Sequence, residues 1–267
     1  MTAIAVRGVV IEIGELPVRL QTTDRRYLQT LKTHYEPFVT EQNQAEFAFD
    51  IALTEYAANG PDEDARVTRC STLWSMQRGD FHAEWDTASK VGRIWQSANL
   101  YSIDSALRIF HTVVLAAKGG FLLHSASAIR DGKAFLFAGP SGAGKTTISR
   151  LAPADVMLLT DEVSYIRKQG NQYAAFGTPF AGELAKFGEN VSAPIGALYL
   201  LAKGPKNRIE PVSPSDAARE LLSNILFFAE DEELVRAVFQ SACEFVERVP
   251  VFKLTFTPDV RAWEHIG

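Results

Sequence analysis

The stretch Gly139-Pro140-Ser141-Gly142-Ala143-Gly144-Lys145-Thr146 constrains the fold more than any other part of the chain. It has the G-x-x-x-x-G-K-T spacing of a phosphate-binding loop, in which glycines let main-chain N–H groups turn inward towards an anion. Such a loop needs a strand before it and a helix after it. Both are foreseen: Lys133–Ala138 is an apolar run of strand length, and Thr147-Ile148-Ser149-Arg150-Leu151 can continue as a helix. In this reading the loop amides and the helix start cradle phosphates, and Lys145 reaches the outer ones. Thr146 offers its hydroxyl to Mg²⁺, and Thr147 completes the nucleotide-binding set. The plainer alternative is a glycine-rich strand-to-helix turn that happens to contain a lysine.

Ahead of the loop, the pattern predicts a strand at 4–13 closed by Gly14 and Pro17, a helix at 25–34 capped by Asp24, and a strand at 47–53. A surface loop at 57–64 holds Asn59-Gly60-Pro61-Asp62, and strand-like stretches follow at 66–74, 80–85 and 91–96. Together they read as an antiparallel, β-rich N-terminal region. Three of the four tryptophans, Trp74, Trp85 and Trp95, fall there. Core and cross-strand packing is their expected use, and a stacking platform for a base or peptide is the alternative.

From Tyr101 to Lys118 the pattern becomes helical, with Leu107, Phe110, Val114 and Leu115 in phase and Gly119-Gly120 ending the run. We place a boundary near residue 100, giving a β-rich region at 1–100, suited to substrate docking, and an ATP-binding domain at 101–267. The second part predicts a hairpin at 121–129 and 133–138 turned by Asp131-Gly132, then a strand at 155–159. A second hairpin at 163–167 and 173–176 turns about Gly170-Asn171, and a strand follows at 195–201. Helices at 214–228 and 231–248 and a strand at 251–256 complete it. Two hairpins beside a phosphate loop indicate an α/β fold with a mixed (α+β) sheet rather than a parallel, doubly wound one.

The formal net charge of −5 argues against a broad attraction to nucleic acid. Cys70 and Cys243 are far apart and lack C-x-x-C spacing, so no zinc site or disulfide framework is expected. No apolar run approaches the roughly 18–20 residues that span a bilayer, and the first residues lack a signal-peptide pattern. The expectation is a cytoplasmic protein with neither nucleic acid nor membrane among its partners.

Chemistry needs more than a phosphate cradle. Leu158-Leu159-Thr160-Asp161-Glu162 is an apolar strand ending in two carboxylates, where phosphate-loop proteins place a metal-binding acid. Neighbouring strand residues face opposite ways, so one of the two should point at Mg²⁺ or the attacking hydroxyl, and Asp161 is our choice. A solvated acidic turn is the alternative. His124 lies in the strand before the loop strand, where it can orient the acid or touch the transferred phosphoryl group; a hydrogen-bonded packing histidine is equally compatible. Glu183, within Gly177-Thr178-Pro179-Phe180-Ala181-Gly182-Glu183-Leu184, sits in a shaped segment that reads either as a substrate loop or as the first turn of a short helix. No N-K-x-D signature for guanine is present, which favours ATP.

With these motifs in this order, residues 121–201 resemble the catalytic domain of HPr kinase/phosphorylase, and more closely the smaller HPr-kinase-related proteins found beside peptide-modifying gene clusters. The loop and acidic pair are also similar to those of the much longer ATP-dependent phosphoenolpyruvate carboxykinase. The resemblance implies an HPr-kinase/carboxykinase-like fold and an ATP- and Mg²⁺-dependent serine kinase. It implies Asp161 as the base towards a serine hydroxyl, Glu162 as its acidic neighbour, and His124 as the active-site histidine. Thr146 and Glu183 match the Mg²⁺-associated positions, and Asp161 is a further metal candidate. The resemblance also admits a homo-oligomer, since the bifunctional relatives form hexamers. Two features depart from the family: Glu162 stands where Asp is usual, and GTPFAGEL replaces the glycine-rich signature loop of the bifunctional enzymes. Phosphorylase activity and HPr as acceptor are therefore not implied.

The leading expectation is phosphorylation of a hydroxyl, a serine on a peptide or small protein. A non-catalytic ATP-binding regulator and a kinase for a small metabolite are the alternatives.

Overall fold

A computed structural model describes residues 7–42, 44–55, 64–180, 182, 184 and 188–267. The loop foreseen around Asn59-Gly60-Pro61-Asp62 lies outside the described residues, as does Glu183. The chain divides into two units. One comprises the residues up to His111 with Phe228–Glu232, and the other comprises Thr112–Phe227 and Glu233–Gly267.

In the first unit, β1 (Arg7–Ile13) and β2 (Leu16–Thr22) form a hairpin. Its turn residues Gly14 and Glu15 both have positive φ, 59° and 58°, as a two-residue type I′ turn requires. Pro17, expected to close β1, instead lies inside β2 opposite Glu12. The buried alternation of Leu16, Val18 and Leu20 carries the strand through it. α1 (Arg25–His34) begins where the Asp24 carboxylate accepts the amides of Arg26 and Tyr27, each at 2.8 Å.

β3 (Phe47–Leu53), β4 (Arg66–Cys70), β5 (Leu73–Arg78), β6 (Phe81–Asp86) and β7 (Val91–Gln96) complete a seven-stranded sheet, ordered β1-β2-β3-β7-β6-β5-β4. Strands β4 to β7 pair antiparallel as expected, but β2–β3 and β3–β7 are parallel. The N-terminal region is therefore mixed rather than antiparallel. The cause is α1, a crossover helix that returns the chain to run β3 alongside β2. The stretch expected at 66–74 is two strands, broken at Ser71, whose φ is 58°. Trp74 and Trp85 are buried cross-strand partners stacked 5.8 Å apart. Trp95, half-buried, stacks on His82 at 5.0 Å beneath Arg93.

α2 (Leu100–Ala117) runs across the division between the units. Its 18 residues, with a mean hydropathy of 1.2, make it long and apolar enough to cross a membrane, contrary to the expectation of no such run. Helical periodicity hides this in the sequence, because Asp104 and Arg108 interrupt the apolar run in its first half. In the structure 72% of the helix is buried within the protein, as befits a core helix.

The second unit begins with β8 (Phe121–Arg130) and β9 (Lys133–Ala138), joined through Asp131 (φ 50°) and Gly132 (φ 72°). Then come α3 (Lys145–Arg150), β10 (Met157–Thr160), β11 (Val163–Gln169), β12 (Gln172–Phe176) and β13 (Ser192–Lys203). β14 (Arg208–Pro211), α4 (Pro214–Asn224), β15 (Ile225–Leu226), α5 (Glu232–Arg248) and β16 (Val251–Phe256) complete the chain's regular elements. The nine-stranded sheet follows the order β10-β8-β11-β12-β13-β16-β14, with β9 between β8 and β13 and β15 against β8. β9–β13 and β13–β16 are parallel, so this sheet too is mixed. The helix expected to reach Phe228 stops at Asn224, because Ile225 and Leu226 pair with Leu123 and Leu122. β14 was not foreseen, being short and polar.

β9 is buried on both faces, as its unbroken apolar run requires. Leu136 faces Leu198, Leu221 and Phe245 on one side of the sheet. Phe135 and Phe137 face Tyr199, Ile148 and Trp263 on the other. Strand alternation thus seats β9 between two apolar layers, and its C-terminal end delivers the glycine loop.

Candidate functional site

β8 is the strand on which the site is assembled. β9 pairs with it antiparallel on one side, Ser125 opposite Ala138, and β10 pairs antiparallel on the other, Ser127 opposite Thr160. β9 and β10 therefore run the same way and finish two residues apart along β8. β9 ends in Gly139 and the loop, and β10 ends in Asp161-Glu162.

The acids do not lie at a simple strand end. β11 resumes pairing with β8 at Val163 opposite His124, so β10 and β11 are two segments along one partner, interrupted at residues 161–162. Thr160 Oγ1 accepts the amides of Glu162 and Val163, each at 3.2 Å. This side-chain turn engages both amides at the break in the strand. Beside the break, the buried hydroxyls of Ser125 and Ser164 meet at 2.8 Å, and Ser164 also donates to the Ser125 carbonyl at 3.1 Å.

The loop is built from left-handed main chain. Gly142 and Gly144 have φ of 75° and 115°, values that L side chains rarely adopt. At Gly144 a Cβ would come within 2.7 Å of the Phe256 ring, whereas at Gly142 it would meet nothing within 4 Å. Gly144 is required by packing and turn alike, Gly142 by the turn alone. Lys145 folds back beneath the loop, its ammonium donating to the Gly139 carbonyl at 2.8 Å. Burial pushes its pKa down, and the negative charge of Glu162 pulls it partly back up. Thr146 and Thr147 follow, half-buried, in the first turn of α3.

The two carboxylates have different surroundings. Asp161 is only 4% exposed. Its Oδ1 accepts the amide of Gly182 at 2.9 Å and its Oδ2 that of Leu184 at 2.8 Å. The Glu162 side chain is about one-third exposed and pairs with His124 Nε2 at 3.6 Å. The structure therefore brings Lys145, Glu162 and His124 together, while Asp161 is turned towards the segment after Phe180. A Cβ on Gly182 would stand 2.9 Å from Asp161 Oδ2 and 2.9 Å from Glu162 Oε2, so the absence of a side chain lets that main chain approach both acids.

The segment's stem is equally tight. The Gly188 amide donates to the Thr178 carbonyl at 3.1 Å, and Thr178 Oγ1 donates to the Val163 carbonyl at 2.9 Å. A Cβ on Gly177 would lie 1.9 Å from the Glu189 carbonyl oxygen, and one on Gly188 1.7 Å from that of Leu159. A cavity of about 290 Å³ beside Asp161 is lined by Leu158, Thr160, Leu184, Gly188 and Glu189. It touches no residue of the glycine loop. Glycine spacing marked this segment as shaped, but the carboxylate-to-amide bonds that dock it carry no sequence signal.

The residues fit a nucleoside triphosphate: left-handed glycines, a lysine beneath them, and acids at the same end of the strands as the loop. Among the described residues, no three His, Cys, Asp or Glu side chains cluster as a protein-only metal cage. A Mg²⁺ held by few protein oxygens together with phosphates is the usual arrangement at such loops.

No curated protein matches the chain. Among solved structures, it is similar to the Hpr(Ser) kinase/phosphatase from Coxiella burnetii, at 14% identity over 51% of this chain and 84% of that one, with a TM-score of 0.27. A family model described as SynChlorMet cassette protein ScmC matches residues 94–267, well over half of the chain. The chain belongs to the SynChlorMet cassette protein ScmC family.

Proposed function

We propose that this protein is an ATP- and Mg²⁺-dependent kinase that transfers the γ-phosphate to a hydroxyl, a serine on a peptide or small protein. The observation that carries this reading is that β9 and β10 run the same way on either side of β8 and end within two residues of each other along it, one in the glycine loop and the other in Asp161-Glu162. A phosphate cradle and a carboxylate pair at one end of the strands are the two halves that phosphoryl transfer needs. Residues 139–147 hold the phosphates, with Lys145 leaving the Gly139 carbonyl to meet them. Thr146 is the protein oxygen best placed for the metal, which supplies charge neutralisation on the phosphates when bound. One carboxylate of the acidic pair takes the acceptor proton, and His124 holds Glu162 in place.

The test is incubation with Mg²⁺ and ATP labelled at the γ-phosphate, in the presence of a serine-containing peptide library and of free serine. Acid-stable label on peptide is the expected result, and label on free serine would instead mark a metabolite kinase. ATP binding with no transfer and no phosphate release would replace this reading with that of an ATP-binding regulator.

A further inference from the structure

The adjacent carboxylates differ in what they have left to offer. Both oxygens of Asp161 already accept main-chain amides, and the side chain is almost wholly buried. With both oxygens engaged and the side chain shut away from solvent, Asp161 presents no oxygen to an incoming hydroxyl. Glu162 is exposed enough to be reached and faces His124. Its charge is felt at the Lys145 ammonium, on the phosphate side of the site.

We propose that Asp161 is a positioning residue, latching the main chain of Gly182 and Leu184 beside the acidic pair, and that Glu162 is the catalytic carboxylate that meets the acceptor hydroxyl. The second half rests on the phosphotransfer reading above; the first does not. In the transfer, the acceptor oxygen bonds to the γ-phosphorus as the bond from that phosphorus to the β–γ bridging oxygen breaks. The hydroxyl proton passes to a Glu162 carboxylate oxygen, and ADP leaves with the bonding electrons. His124, beside Glu162, orients that carboxylate. Glycine at 182 belongs to the same device, since a side chain there would collide with both acids.

The experiment compares Asp161→Asn, Asp161→Ala and Glu162→Gln in the full chain by two readouts. The first is amide exchange at Gly182 and Leu184, measured without nucleotide. Asp161→Asn leaves one acceptor oxygen and places an NH₂ against the other amide. Exchange at one or both positions should rise about tenfold or more, further in Asp161→Ala, and stay unchanged in Glu162→Gln. Exchange in the seven-stranded sheet serves as the check that each variant is folded; if Asp161→Ala is not, Asp161→Asn decides. The second readout is phosphate release from ATP, with water as acceptor. Glu162→Gln should lower kcat by about 100-fold or more, the loss expected of a missing general base. Asp161→Asn should raise KM while keeping kcat within about tenfold, short of that range.

Unchanged exchange at Gly182 and Leu184 in both Asp161 variants overturns the latch. A kcat lost in Asp161→Asn and kept in Glu162→Gln overturns the division of roles. If the unaltered protein binds ATP but neither releases phosphate nor labels a serine-containing peptide, the phosphotransfer reading fails and takes the Glu162 role with it, while the exchange result still decides the role of Asp161.

Discussion

Lys145 carries its charge where charge is disfavoured. It is buried, and its ammonium is satisfied in part by the Gly139 carbonyl, an arrangement that exists at the expense of stability. Replacing it with methionine should leave the nucleotide-free protein as stable as before or more so. The same substitution should abolish the stabilisation by ATP, which for a functional site is about 2.7 kcal/mol at 100-fold excess over Kd. Urea unfolding with and without Mg²⁺ and ATP measures both. A Lys145→Met variant that still gained from ATP would remove the lysine from the phosphate site. At this scale the sequence was informative about residue types and silent about their partners. Gly139 to Thr146 could be picked out by spacing alone, but nothing in Asp161-Glu162 says that one acid faces main-chain amides and the other a histidine.

At the scale of elements, α5 is fastened to the sheet by charge as well as by apolar packing. Lys168 on β11 donates to Glu244 on α5 at 2.6 Å, and Arg248 joins the same carboxylate one turn on. The hydrogen bond from Lys168 holds the Glu244 pKa below the usual carboxylate range, with the charges of Arg248 and Lys168 adding to it. A depressed carboxylate contributes stability that is present above its unfolded pKa, about 4.3, and is lost as pH falls through the lower folded value. Glu244→Gln should therefore lower the thermal midpoint at about pH 7, with the gap to the unaltered protein closing as the solution is acidified below about pH 4.3. A gap that persisted in acid would show that the substitution acts through packing instead.

Elements with a regular pattern were readable and those defined by a partner were not. The glycine turns at 131–132 and 170–171, the strands at 47–53 and 91–96 and the helix at 25–34 follow from local chemistry. β14, β15 and the early end of α4 exist because β16 and β8 offer edges to pair with, and no local propensity announces that.

At the scale of the whole molecule, the glycine loop, the acids, His124 and the main chain of Gly182, Leu184 and Gly188 all belong to one of the two units. ATP binding should slow amide exchange around 139–150 and leave the seven-stranded sheet of the other unit unchanged. Hydrogen exchange followed by mass spectrometry of the full chain reads this directly. Protection extending through β3 to β7 would mean that the first unit also takes part in binding.

By itself the sequence determined the phosphate-loop spacing, the mixed α/β class, most of the strands and helices, and the candidates Lys145, Asp161, Glu162 and His124. These are local properties, set by glycine conformational freedom, side-chain periodicity and residue chemistry. Only the tertiary structure decided that β2, β3 and β7 run parallel, that β10 and β11 are one line broken at the acids, and that Asp161 and Glu162 face different partners. Those are matters of which strand lies beside which, and strand pairing joins residues far apart in the chain, where sequence spacing carries no information.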